Sequence, residues 1–211
     1  MHLDCFVILA NRATGKTYSA IKFCIDRKLA TNCLIITNVR SFKVFSDTVF
    51  IDDITELMDF VLDYFDSLSN DESPNIIIFF DEIFTILEKG TRINKDILSF
   101  ISQLRKRKIV FVTTAQEWLE INVTFRRYVR YQVDCNMFSL PISKTAFIIN
   151  QIKDGEQLKW SNDDNEYIAP IIATNFSKGN KMIIESYDTF ETIQTSSKIK
   201  KHKKDDKFVS D

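Results

Sequence analysis

Gly15-Lys16-Thr17 stands where an apolar run, Phe6-Val7-Ile8-Leu9, gives way to helix-forming residues. A strand, a loop and a helix start in that order can aim successive backbone N–H groups, and the positive end of the helix, at one anion. The lysine then reaches the outer phosphates of a nucleotide, and the Thr17 hydroxyl falls where such a loop holds Mg²⁺. Ala10, Asn11, Arg12, Ala13, Thr14, Gly15, Lys16, Thr17 and Tyr18 are the residues expected to line the cradle. The motif G-x-x-x-x-G-K-[ST] carries glycine where this chain has Ala10. Alanine is the smallest substitute and fits unless the position needs a positive φ.

A second pair of residues complements the first. Asn75-Ile-Ile-Ile-Phe-Phe80 runs directly into Asp81-Glu82. An aspartate at the carboxyl end of a buried strand can hold Mg²⁺, while the glutamate beside it can orient and deprotonate an attacking water. Read only as charge, the two carboxylates would open the following helix, where negative groups are favoured. Gln116, just past the strand ending at Thr114, is placed to sense a γ-phosphate or hold the water; otherwise it is a solvent-facing amide. Arg105-Lys106-Arg107-Lys108 reads either as a solvated helix end or as a contact for a DNA backbone.

The surrounding elements must bring these residues together. Helices are expected over Tyr18–Lys28, Asp53–Leu68 and Ile93–Lys106, from apolar positions at helical spacing. Buried strands are expected at Cys33–Thr37, Asn75–Phe80 and Lys108–Thr114, and Phe42–Phe50 reads as a short strand or a loop. Strands alternating with helices imply a parallel sheet with right-handed crossovers. The interval from Lys16 to Asp81 leaves room for a strand inserted between the two motif strands. Beyond Tyr128 the texture turns to β, with strands expected at Tyr128–Cys135, Ala146–Gln151 and Lys181–Tyr187, antiparallel along one edge. Turn signals separate them at Asp154-Gly155 and Lys178-Gly179-Asn180.

Composition limits the alternatives. The 211 residues suit one domain, here 1–194, followed by a charged tail over 195–211 rich in lysine and expected to be disordered. A net charge of −1 does not advertise nucleic-acid binding, so any such contact must be local. The 4 cysteines are scattered and only 2 histidines occur, which argues against zinc and redox motifs and for buried thiols. No apolar run approaches the ~20 residues of a membrane span, and no signal peptide opens the chain, so a cytoplasmic protein is expected.

Taken together, several features resemble the FtsK/HerA superfamily of P-loop ATPases, and within it the phage and viral DNA-packaging and zonular-occludens-toxin-like assembly ATPases. They are the Gly15-Lys16-Thr17 loop, the strand ending Thr37-Asn38, the strand ending Asp81-Glu82, Arg105-Lys106-Arg107 before Ile109-Val-Phe-Val-Thr-Thr-Ala-Gln116, Phe125-Arg126-Arg127, and Tyr187-Asp188-Thr189-Phe190-Glu191. The resemblance covers roughly residues 3 to 192. It implies a RecA-like α/β fold with a mainly parallel sheet and an antiparallel extension, ATP and Mg²⁺ as ligands, and hydrolysis coupled to moving DNA for a virus, phage or mobile element. It also implies a homo-oligomeric ring, a hexamer by analogy, on double- or single-stranded DNA, with a virion or membrane assembly partner, in a host cytoplasm or attached to a virion. An arginine finger would come from Arg126, Arg127 or Arg130. A small nucleoside or nucleotide kinase and a non-hydrolysing assembly factor are the rival readings. Glu82 beside Asp81 suits hydrolysis better than transfer to a bound hydroxyl.

Overall fold

The computed structural model describes residues 5–9, 14–68, 75–82, 93–104, 106–107, 109–139, 146–162 and 166–188. Ala10 to Ala13, Arg105, Lys108 and the 195–211 tail lie outside them. An eight-stranded sheet forms the centre, in the order β10-β7-β6-β1-β5-β4-β2-β3. Its strands are β1 (Cys5–Leu9), β2 (Leu34–Thr37), β3 (Val49–Phe50), β4 (Ile76–Phe80), β5 (Val110–Ala115), β6 (Tyr131–Ser139), β7 (Ala146–Asp154) and β10 (Ile171–Lys178). A separate hairpin joins β8 (Lys159–Ser161) to β9 (Glu166–Ile168).

β6 through β3 are all parallel, and the inner strands β1, β4 and β5 are buried along their whole length, which explains their apolar runs. Val7, Leu9, Ile78, Phe80 and Phe111 face a layer that includes α2 (Ile54–Ser67) and α3 (Lys95–Leu104). Phe6, Ile8, Ile77, Phe79 and Val112 face the opposite layer, built on α1 (Lys16–Thr31). Asp53 caps α2, its side chain accepting from the N–H groups of Thr55 and Glu56. As the spacing of the motifs allowed, β5 lies between β1 and β4, so the phosphate loop and Asp81 flank the end of one shared strand.

The antiparallel extension is real but differently composed. β6 is itself parallel to β1, and only β7 and β10 run against their neighbours. The last strand expected from sequence, Lys181–Tyr187, is instead a single helical turn, α5 (Lys181–Ile184), followed by a turn. Asn180 caps that turn by accepting from the Met182 N–H at 2.9 Å, and only Ile183 of the Met-Ile-Ile run is buried. The true edge strand, β10, hid from periodicity because both its faces are largely exposed and its centre is polar, Thr174-Asn175. At the turn after β7, the Gly155 N–H donates to the Arg130 carbonyl at 2.9 Å, and a Cβ there would lie 2.6 Å from the Val129 carbonyl oxygen, so glycine is required. Among the described residues no helix is long and apolar enough to cross a membrane.

Candidate nucleotide site

Every strand of the parallel sheet delivers its carboxyl end to one side, and that side carries the polar residues singled out by sequence. β1 leads into the loop, whose last residue, Gly15, adopts φ 88°, a left-handed conformation in which a side chain is strained. Helix α1 begins at once, its first turn closed by the Ser19 N–H donating to the Gly15 carbonyl at 2.8 Å. Lys16 and Thr17 therefore sit in the first turn, where unpaired N–H groups gather. Lys16 is 8% exposed, so its ammonium points along the site rather than into solvent.

Across the gap, Asp81 takes up the space between the ends of β2, β5 and α1. The Thr17 hydroxyl donates to its carboxylate at 3.2 and 3.4 Å, and the Thr114 hydroxyl donates to it from β5. Asn38, just past β2, fixes the backbone: its side chain accepts from the Asp81 N–H at 2.8 Å and donates to the Asp81 carbonyl at 3.1 Å. Burial pushes the Asp81 carboxyl above the usual range. The Thr114 bond opposes that shift, neighbouring Glu82 adds to it, and Thr17 and Lys16 pull it back. Glu82 is held with φ 53°, an uncommon region for a residue with a side chain, and its N–H donates to the Thr114 hydroxyl at 2.8 Å. One carboxylate oxygen of Glu82 comes within 3.9 Å of the Lys16 ammonium.

This donor set fits Mg²⁺. Thr17 and Asp81 present a hydroxyl and a carboxylate side by side, hard oxygens that leave most of an octahedral shell to water and phosphate oxygens. Gln116 follows β5, half-buried, at the same end of the sheet. Lys16, Thr17, Asp81, Glu82 and Gln116 are thus brought to one edge.

Several supports escaped the sequence reading. Asn38 and Thr114 were visible only as polar residues at strand ends, with no role attached. Cys135, read as an inert buried thiol, donates to the Thr14 carbonyl at 3.3 Å and lies 3.3 Å from the Ser19 hydroxyl. Ser19 in turn donates to Asn150 of β7 at 3.0 Å, and Ile148 abuts Gly15. Strands β6 and β7 therefore pack against Thr14, Gly15 and Ser19, where the loop passes into α1. Partners this distant in sequence leave no local signal.

The basic residues lie elsewhere. The Arg130 N–H donates to the Cys5 carbonyl at the start of β1, about 13 Å along the strand from its end. Its guanidinium pairs with Glu156 at 2.6 Å and lies over the Tyr131 ring at 5.8 Å. Arg126, closing the short helix α4 (Val123–Arg126), is held between the Trp118 and Tyr167 rings, 5.9 Å from each, with its Nε buried. Arg127 is exposed. Of the basic run before β5, Arg107 lies 4.7 Å over the Phe65 ring and donates to Gln103 at 3.1 Å, whereas Lys106 is exposed.

No protein-family signature and no curated protein sequence matches the chain. Solved structures do. The N-terminal domain of zonular occludens toxin from Neisseria meningitidis superposes with a TM-score of 0.55 at 10% identity, over 89% of this chain and 100% of that one. The genome-packaging NTPase B204 of Sulfolobus turreted icosahedral virus 2, in complex with AMPPCP, gives 0.53 at 8% identity, over 82% and 100%; its complex with ATP-gammaS gives 0.51 at 12% identity, also over 82% and 100%. At such identities the likeness is one of fold, and the chain has the P-loop NTPase fold that these proteins share.

Proposed function

We propose that the protein hydrolyses ATP with Mg²⁺ and couples that hydrolysis to packaging or moving DNA for a virus, phage or mobile element. The observation that carries the hydrolytic reading is the convergence of Thr17 with Asp81, and of Lys16 with Glu82, from two elements far apart in sequence. The packaging role draws on the fold shared with a viral genome-packaging NTPase.

Backbone N–H groups at the start of α1 and the Lys16 ammonium would bind the β- and γ-phosphates. Thr17 and Asp81 would hold Mg²⁺, which supplies positive charge to the phosphate oxygens. Glu82 would accept a proton from the attacking water, a role supported by its approach to within 3.9 Å of Lys16. Gln116 would orient that water. Hydrolysis is favoured over phosphoryl transfer to a second substrate because an anionic base already stands beside the phosphate-binding lysine.

Arg130 sits at the far end of the sheet from its own phosphate loop, so any part it played in hydrolysis would be on a neighbouring subunit's nucleotide, as a ring would allow; Arg126 and Arg127 precede it in the connection to β6. Arg127 is the best suited of the three: Arg126 is held by two rings and Arg130 by Glu156, while Arg127 is exposed. Lys106 shares that basic end and is the proposed DNA-backbone contact. Phosphate release from Mg-ATP, measured with and without DNA, tests the reading; release stimulated by DNA is expected, and no release under either condition would overturn it.

A further inference from the structure

Tyr18 follows Thr17 directly and is 4% exposed, and its hydroxyl is met by the far end of the chain. It accepts from the Asn180 N–H at 2.9 Å and donates to the Lys178 carbonyl at 3.4 Å, fastening the turn between β10 and α5 to the first turn of α1. From there α5 buries Ile183 in the layer that holds Tyr18 and Ile21, and Tyr187 packs on the same layer. The Asp188 N–H then donates to the Ser41 hydroxyl at 2.8 Å, in the loop after β2. Residues Lys178 to Asp188 thus run from the outer edge of the sheet, over the start of the phosphate-loop helix, to the loop beside Asn38 and Asp81.

We propose that Lys178–Asp188 is a strap laid over the start of α1, pinned by the Tyr18 hydroxyl at one end and by the Ser41 hydroxyl at the other. Its bearing on a bound nucleotide rests on the nucleotide reading given above. Tyr18 shares its helical turn with Lys16 and Thr17, so the strap and the phosphate-binding residues cannot shift independently. Removing the hydroxyl leaves the aromatic packing in place but strips the pin from the Asn180 N–H and the Lys178 carbonyl.

Hydrogen exchange on the full chain, free of nucleotide, decides the pin. In Tyr18→Phe the amides of Ile183, Ile184 and Glu185 should exchange about ten-fold faster, the loss expected of one or two hydrogen bonds, with β4 unchanged. Wild-type exchange in α5 would overturn the strap whether or not the protein binds ATP. Failure of the wild type to bind Mg-ATP would refute the nucleotide reading and leave the exchange comparison to judge the strap.

Discussion

The two ends of the parallel sheet are both polar, yet they are built on opposite terms. At the carboxyl end, Lys16 approaches Glu82, Thr17 and Thr114 both donate to Asp81, and the Glu82 N–H donates to Thr114. At the amino end, Arg107 and Arg130 are matched to a ring and a carboxylate of the fold while Lys106 is exposed, and Arg126 lies between two rings with Arg127 exposed beside it. The contrast teaches that a charged residue near a motif is informative only after its partners are known. Lys16 stands beside a carboxylate at the strand ends, as a phosphate site would need, whereas the arginines lying against aromatic rings are held by packing.

That comparison can be broken most severely at the carboxyl end. Lys16→Ala should reduce turnover by about 10³-fold or more and abolish tight nucleotide binding, read by phosphate release and by titration with ATP. Next in size, Arg127→Ala should cost about 10²- to 10³-fold in turnover with ATP binding intact, and mixing it with a Glu82→Gln protein should restore activity through interfaces that pair an intact base with an intact arginine. No rescue, with a monomeric mass in ATP and DNA, would remove the intersubunit role. Arg126→Ala should behave oppositely, lowering stability by about 1–2 kcal/mol in denaturant titrations through loss of two ring contacts. Asn38→Ala leaves the Asp81 N–H without its side-chain acceptor and should cost about 1–3 kcal/mol of stability by the same titration, with weaker metal dependence of turnover. The smallest effect belongs to Lys106→Ala, which should lower the salt slope of DNA binding by about one unit and leave basal turnover unchanged.

Much of this architecture was legible because parallel strands buried on both faces write themselves as apolar runs, and because a phosphate loop and a strand-end acid are local motifs. Ile76–Phe80 and Val110–Ala115 were located within one or two residues on that basis. Legibility failed where one-dimensional pattern and three-dimensional environment part. β10 alternates between two exposed faces and so shows no apolar period, while Lys181–Ile184 reads as a strand but is one capped turn. Asn38, Thr114 and Cys135 gain meaning only from partners brought near by the sheet order, and no spacing rule reports such partners.

Glu82 is the proposed base of a site that would bind ATP through Lys16 and Thr17. Equilibrium binding of Mg-ATP and phosphate release, measured side by side for the wild type and Glu82→Gln, test it directly. The expected result is comparable ATP binding by both proteins, with phosphate released by the wild type and ATP retained unhydrolysed by the variant. Hydrolysis by Glu82→Gln at the wild-type rate, or loss of ATP binding equal to that of Lys16→Ala, would contradict it.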